Sequence, residues 1–348
     1  MSWIIPENKL DDQQREFVDN VDINQRNIWI KGFPGSGKSV LLAYTIKKIK
    51  RQTPSASIVV VVFTHALIAM FKAALREMGL DVEVITYFDF MRNTRRYDYI
   101  LSDEVQDLTP TVLKEMNNRG NHVIVAGDEN QSIYENDPQT HESTVSPSQI
   151  NQLLNSREYI LNIIHRLTRS IIDVVNKFLP NLNIFAARRD MSKQSTQVRV
   201  CQAQNFDEEV KYILKEGKNA VNNGYTTGIL IPTGKAIIAF ANTALRQEGK
   251  PEWVPTTNRY GSIDFSSLNS HLNRYGVQMQ YVGNGTGNFS EGIRKITIMT
   301  YHSSKGLDFD NVFIPGLNRN LFITYNFDLS RTLFMVAMTR SRNNLYLT

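Results

Sequence analysis

The stretch GFPGSGKS at residues 32–39 constrains this chain more than any other. It follows the apolar run Ile28-Trp29-Ile30 and leads into a helical pattern over residues 38–50. A strand, a glycine-rich turn and a helix in that order make a cradle for phosphate. Gly32, Gly35 and Gly37 let the backbone turn tightly around Ser36 and aim its N–H groups at phosphate oxygens. The helix start adds its positive end to the same place. Lys38 is spaced to reach β- and γ-phosphates, and Ser39 to offer its hydroxyl to Mg²⁺.

The rest of the chain repeats the strand–helix rhythm. NIWI, SIVVVVF, VEVIT, YDYILSD and HVIVAG are short, rich in Ile and Val, and apolar on both faces. That is the pattern of buried parallel strands. Helical patterns lie between them at residues 38–50, 65–78 and 110–118. Residues 135–149 are polar with two prolines and read as a loop leading to a domain boundary. The rhythm resumes with EYILNII, QVRVCQ, TGILIP, VQMQYV, KITIMT and NVFIPG, and with helical patterns at 167–179, 206–222 and 235–248. Residues 250–276 and 283–293 are polar and read as loops. The expected fold class is α/β, with parallel sheets flanked by helices in two consecutive domains, 1–155 and 156–348.

A second strand delivers the acids that a Mg·ATP site needs. YDYILSDEVQD, residues 97–107, ends in adjacent Asp103 and Glu104. One acid suits the metal and the other the attacking water, so Asp103 is assigned to Mg²⁺ and Glu104 to the water. The next strand, HVIVAGDENQSIY, places Gln131 to sense a γ-phosphate. ATP and Mg²⁺ are the expected cofactors.

Composition removes other classes. One cysteine, Cys201, allows neither an intrachain disulfide nor a cysteine metal site. The six histidines show no metal-ligand spacing. No run of apolar residues is long enough to span a bilayer, and the first residues lack the pattern of a signal peptide, so a cytoplasmic location without a membrane partner is expected. A formal net charge of +5 permits a polyanionic partner without requiring one.

In that order, GFPGSGKS, DEVQD and AGDENQSIY resemble the first-domain motifs of superfamily 1 helicases of the UvrD/Rep/PcrA group. The resemblance runs along nearly the whole chain. LDDQQ is similar to the adenine-reading Q motif and places Gln14 there. VVFTHALIAMF resembles motif Ia, and VITYFDFM the following strand-contacting segment. LNIIHRLTRS resembles motif IV, TIMTYHSSKGLDFDNVFIPG motif V and FMVAMTRSRNNLYL motif VI.

The resemblance implies two tandem RecA-like domains with ATP held between them. Gln14, Lys38, Ser39, Asp103, Glu104 and Gln131 would come from the first. Arg166 and Arg340 would neutralise charge on the γ-phosphoryl, His165 would stack on adenine, and Gly306 and Asp308 would complete the nucleotide site. Strand contacts would come from Thr64, His65, Thr86, Tyr87, Phe88, Tyr134, Thr300, Tyr301 and His302. The implied activity is an ATP-dependent translocase or helicase on single-stranded DNA, with RNA as the open alternative. Two other readings are an ATPase subunit that senses or loads on DNA ends and gates a partner nuclease in a repair or phage-defence complex, and a binding module without turnover.

The chain also departs from the group. About forty residues separate Thr64 from Asp103, too few for the accessory domain that full-sized relatives carry there. Glu135 and Asn136 follow Tyr134 where the group has a tryptophan, His165 stands for a tyrosine, and Asp308 for a glutamate.

Overall fold

The computed structural model describes residues 4–128, 132–137, 140–178, 188–189, 195–258, 261–283, 285–287, 292–318 and 321–348. The chain divides into two compact units.

The first unit runs through α1 (Asp12–Asn20), β1 (Ile28–Gly32), α2 (Lys38–Gln52), β2 (Ile58–Val62), α3 (His65–Glu77), β3 (Glu83–Thr86), α4 (Tyr87–Arg92), β4 (Tyr97–Ser102), α5 (Pro110–Arg119), β5 (Gly120–Gly127), α6 (Pro147–Leu154), β6 (Arg157–Leu161) and β7 (Ile163–Ile164). Six strands form one sheet in the order β3-β2-β4-β5-β1-β6, every pairing parallel. Alternate residues of each strand feed two cores. Ile28, Ile30, Val60 and Leu101 pack with Phe17, Leu41 and Phe71 on one face. Trp29, Val59, Val61 and Ile100 pack with Leu113, Met116 and Leu154 on the other. A strand covered on both faces must be apolar at every position, which is why β2 reads Ile-Val-Val-Val-Val and is buried throughout.

Because all six strands are parallel, their carboxyl ends share one edge. The phosphate loop after β1, Thr64 after β2, Thr86 at the end of β3 and Asp103 after β4 therefore share that edge. Between β2 and β4 the chain holds only α3, β3 and α4, so no accessory domain is inserted there.

The segment EYILNII, expected to open the second domain, instead extends the first sheet. Arg157 pairs with Ile28 and Leu161 with Gly32, and Leu161 joins the first core. Without β6, β1 would be an edge strand beside a phosphate site. The first unit therefore reaches Arg166 and takes in residues 188–189 as well.

The second unit contains α7 (Arg169–Phe178). The short strand β8 (Arg188–Arg189) pairs with β7 in the first unit. The second unit continues with β9 (Gln197–Val200), α8 (Phe206–Asn222), β10 (Thr227–Ile231), α9 (Gly234–Gln247), α10 (Phe265–Arg274), β11 (Met279–Tyr281), β12 (Ile296–Thr300), β13 (Phe309–Ile314), α11 (Phe327–Met338) and β14 (Ser341–Leu347). Its sheet, β11-β12-β10-β13-β14-β9, is again wholly parallel. Ile213, Ile229, Phe240, Leu268 and Ile298 anchor its core.

Helices also occur where loops were expected. In α10, Phe265, Leu268 and Leu272 are buried at helical spacing, and Asp264 caps the first turn. Its exposed face is Ser, Asn and His, which hides the pattern in the sequence. In α6, Pro147 occupies the first turn and Ser146 forms a capping box with Gln149. No described helix is long and apolar enough to cross a membrane.

Candidate functional site

The phosphate loop has the backbone that its glycines allow. Gly35 and Gly37 sit at φ +74° and +87°, a region costly for other residues. Both are also closely approached. A Cβ at Gly35 would fall 2.4 Å from the Cβ of Arg166, and one at Gly37 would fall 2.3 Å from Gln14 Nε2. Lys38 is buried, and its Nζ donates to the carbonyls of Gly32 at 2.8 Å and Phe33 at 3.1 Å. The cation thus lies folded over the loop.

At the start of α2, Ser39 Oγ donates to Asp103 Oδ2 at 2.5 Å, across 64 residues of sequence. Asp103 is almost wholly buried, and its pKa is pushed up to about 6. Burial is the main cause and the neighbouring Glu104 the second, while Ser39 and Lys38 pull the other way. A carboxylate in that setting gains from a cation. Ser39 and Asp103 are oxygen donors of the kind Mg²⁺ takes, one hydroxyl and one carboxylate beside a phosphate cradle. No cluster of three or more metal-ligating side chains occurs among the described residues.

Glu104 follows with φ +54° and ψ +44°. A left-handed glutamate is strained, and such strain persists where surrounding contacts over-determine it. Here Gln106 Nε2 donates to Glu104 Oε2 at 2.6 Å, while Gln106 Oε1 accepts from Asp128 N at 3.1 Å. Gln106 therefore ties Glu104 to the end of β5. The sequence reading missed Gln106; its signal was the glutamine inside DEVQD.

Gln14, which the resemblance assigns to the Q motif, lies against the phosphate loop. Its Nε2 donates to Ser36 O at 3.1 Å, both groups buried. Asp11 caps α1 by accepting from Gln14 N at 2.8 Å, and Gln14 Oε1 accepts from Asp11 N in return. His165 N and Arg166 N both donate to Gly35 O, at 2.9 and 3.2 Å. The residues of LDDQQ and of the His165-Arg166 pair thus close on the same turn.

The strand-contact candidates divide. Thr64 and Thr86 cap α3 and α4, each accepting a helix N–H, so their hydroxyls serve local structure first. His65 is exposed. Phe88 is half-buried beneath the Arg92 guanidinium at 4.0 Å. Tyr134 is half-buried with its ring 4.6 Å from Phe63, which stacks on Tyr87 at 5.1 Å. The Tyr87 hydroxyl donates to buried Asp137. Phe63 was missed, although it directly precedes Thr64 in the motif Ia-like stretch. Gln131 lies outside the described residues.

In the second unit, Thr300 Oγ1 donates to Ser303 Oγ at 2.9 Å and accepts from Ser303 N at 3.1 Å. Tyr301 is fully buried. His302 is half-buried, and its pKa is lowered, by burial first and Lys305 second. Gly306 turns at φ +82°. Asp308 pairs with Arg342. Arg340 is buried, with Nε donating to Val336 O at 2.9 Å, Nη2 to Thr339 Oγ1 at 2.9 Å and Nη1 to Leu307 O at 3.3 Å. The motif V-like and motif VI-like segments therefore share one network at the start of β13 and β14.

The chain is similar to known proteins in both units. Residues 14–137 match a family model described as an AAA domain, and residues 276–348 match one described as the UvrD-like helicase C-terminal domain. The chain is 27% identical over 165 residues to a probable DNA helicase II homolog of Mycoplasma capricolum, covering 42% of this chain and 22% of that protein. It is 40% identical over 60 residues to the ATP-dependent DNA helicase Rep of Buchnera aphidicola, covering 16% and 9%. These matches span less than a quarter of either relative. Among solved structures, the PRRSV helicase aligns with 96% of this chain and 53% of its own, at 14% identity and a TM-score of 0.48. With the two models matched in chain order on either half of a double parallel-sheet fold, this chain is similar to the UvrD-like helicases.

Proposed function

We propose that this chain hydrolyses ATP with Mg²⁺ and couples hydrolysis to movement along single-stranded DNA. The observation that carries the reading is the contact of Ser39 with buried Asp103, with Glu104 held on a strained turn beside them.

The chemistry follows from what these side chains can do. Loop N–H groups and the start of α2 bind phosphate oxygens. Lys38 exchanges the carbonyls of Gly32 and Phe33 for the β- and γ-phosphates. Ser39 and Asp103 would hold Mg²⁺, which would supply charge neutralisation to the phosphates. Glu104 orients the attacking water and accepts its proton, and Gln106 fixes the carboxylate for that task. Gln14 and His165 flank the loop and would meet the base, and Arg166 would meet the phosphate chain.

The DNA part of the reading rests on Phe63, Tyr87 and Tyr134, an aromatic group in the first unit. Aromatic faces suit unpaired bases whatever their sequence. The relatives from Mycoplasma capricolum and Buchnera aphidicola carry DNA helicase in their names. Phosphate release measured with and without a single-stranded DNA oligonucleotide, and with RNA of the same sequence, tests this. Stimulation by DNA supports it. Hydrolysis that ignores both strands contradicts it.

A further inference from the structure

Asp11 lies within LDDQQ, where only Gln14 is expected to meet the nucleotide. Yet its two carboxylate oxygens hold both residues that grip the phosphate loop. Oδ1 accepts from Gln14 N at 2.8 Å and so sets the first turn of α1. Gln14 then donates to Ser36 O. Oδ2 lies 2.5 Å from His165 Nε2, across 154 residues of sequence. His165 N in turn donates to Gly35 O. Neighbouring carbonyls of the loop are thus held from two directions through one side chain.

We infer that Asp11 is a positioning residue for nucleotide binding: by clamping the His165 imidazole while capping α1, it fixes the base-side wall of the site against the phosphate loop. The inference rests on the proposed nucleotide site.

The geometry supports a specific role over general packing. Asp11 and His165 are both largely shielded, with side-chain exposures of 12% and 28%. Hydrogen bonds involving a carboxylate and an imidazole are stronger than neutral ones. Their placement matters because the loop has no slack. Arg166 and Gln14 already approach Gly35 and Gly37 within the space that a methyl group would need. A shift of the imidazole, or of the residue after it, would move the turn that cradles phosphate.

Asparagine separates the two functions of Asp11. Asn caps a helix about as well as Asp, so Asp11→Asn keeps the turn of α1 and the place of Gln14. It loses the charge that faces His165. The test is calorimetric titration of Mg·ATP into the unsubstituted protein, Asp11→Asn, His165→Gln and the double variant, each with a thermal melt. We expect Asp11→Asn to melt close to the unsubstituted protein and to bind ATP about tenfold more weakly. We expect the double variant to bind no more weakly than His165→Gln, because coupled residues are not additive. Unchanged affinity in Asp11→Asn, or effects that simply add, would overturn the inference while leaving the nucleotide site standing. Failure of the unsubstituted protein to bind ATP would overturn the proposed function itself, and the inference with it.

Discussion

Ser39 and Asp103 come from different strand–helix junctions, yet the serine hydroxyl donates to the carboxylate at 2.5 Å. Parallel pairing brings this about. β1 and β4 flank β5 in one sheet and point the same way, so the residues that follow them emerge at the same edge with only β5 between. Removing the hydroxyl should weaken the metal site and spare the phosphate cradle. Ser39→Ala is predicted to lose about tenfold or more in ATP affinity when Mg²⁺ is present and to change little in EDTA. Titration of a fluorescent ATP analogue under both conditions checks this, and equal losses in both would contradict it.

Gly35 has no room for a side chain. Its φ is positive and an added Cβ would lie 2.4 Å from that of Arg166. Gly79 has a similar φ of +71° but nothing near it. Gly79→Ala should therefore cost about 1 kcal/mol, from backbone strain alone. Gly35→Ala should cost more and also impair nucleotide binding. Urea unfolding of both variants, with ATP titration, gives the comparison.

His302 supplies a pH dependence with a definite sign. Burial holds its pKa below the ordinary value of about 6.5. Between the folded and unfolded values the unfolded chain binds more protons. The group therefore costs stability as the pH falls below about 6.5 and costs nothing well above it. His302→Gln is predicted to lose less stability than the unsubstituted protein between pH 7.5 and pH 5.5, read as the shift in urea midpoint. Being neutral at pH 7, the imidazole should add nothing to the salt dependence of DNA binding.

Tyr134 packs on Phe63 and is half-buried. Stacking on a base is worth about 1–3 kcal/mol. Tyr134→Ala is predicted to weaken binding of single-stranded DNA by about tenfold or more, measured by fluorescence anisotropy. Unchanged affinity would remove this ring from the strand surface.

Most of the fold and the geometry of the candidate phosphate loop was legible in the sequence because both rest on local rules. Buried parallel strands must be apolar on both faces, and β2 and β5 announce themselves. A phosphate loop needs glycine where φ is positive, and Gly35 and Gly37 stand there. What was not legible depends on partners far along the chain. Nothing local in Arg157–Leu161 says that it pairs with β1 and not with the second sheet. Nothing local in LDDQQ says that Asp11 meets His165. The helix α10 was hidden by a polar exposed face, and the hydroxyls of Thr64 and Thr86 by the fact that a capping threonine and a strand-binding threonine look alike in sequence.

Glu104 carries the central claim, since its carboxylate is the group assigned to the attacking water. The decisive measurement is phosphate release at saturating single-stranded DNA by the unsubstituted protein and Glu104→Gln side by side. We predict that the substitution lowers the rate by about a hundredfold or more and leaves ATP binding intact. A Glu104→Gln protein that hydrolyses ATP at the unsubstituted rate would contradict the assignment.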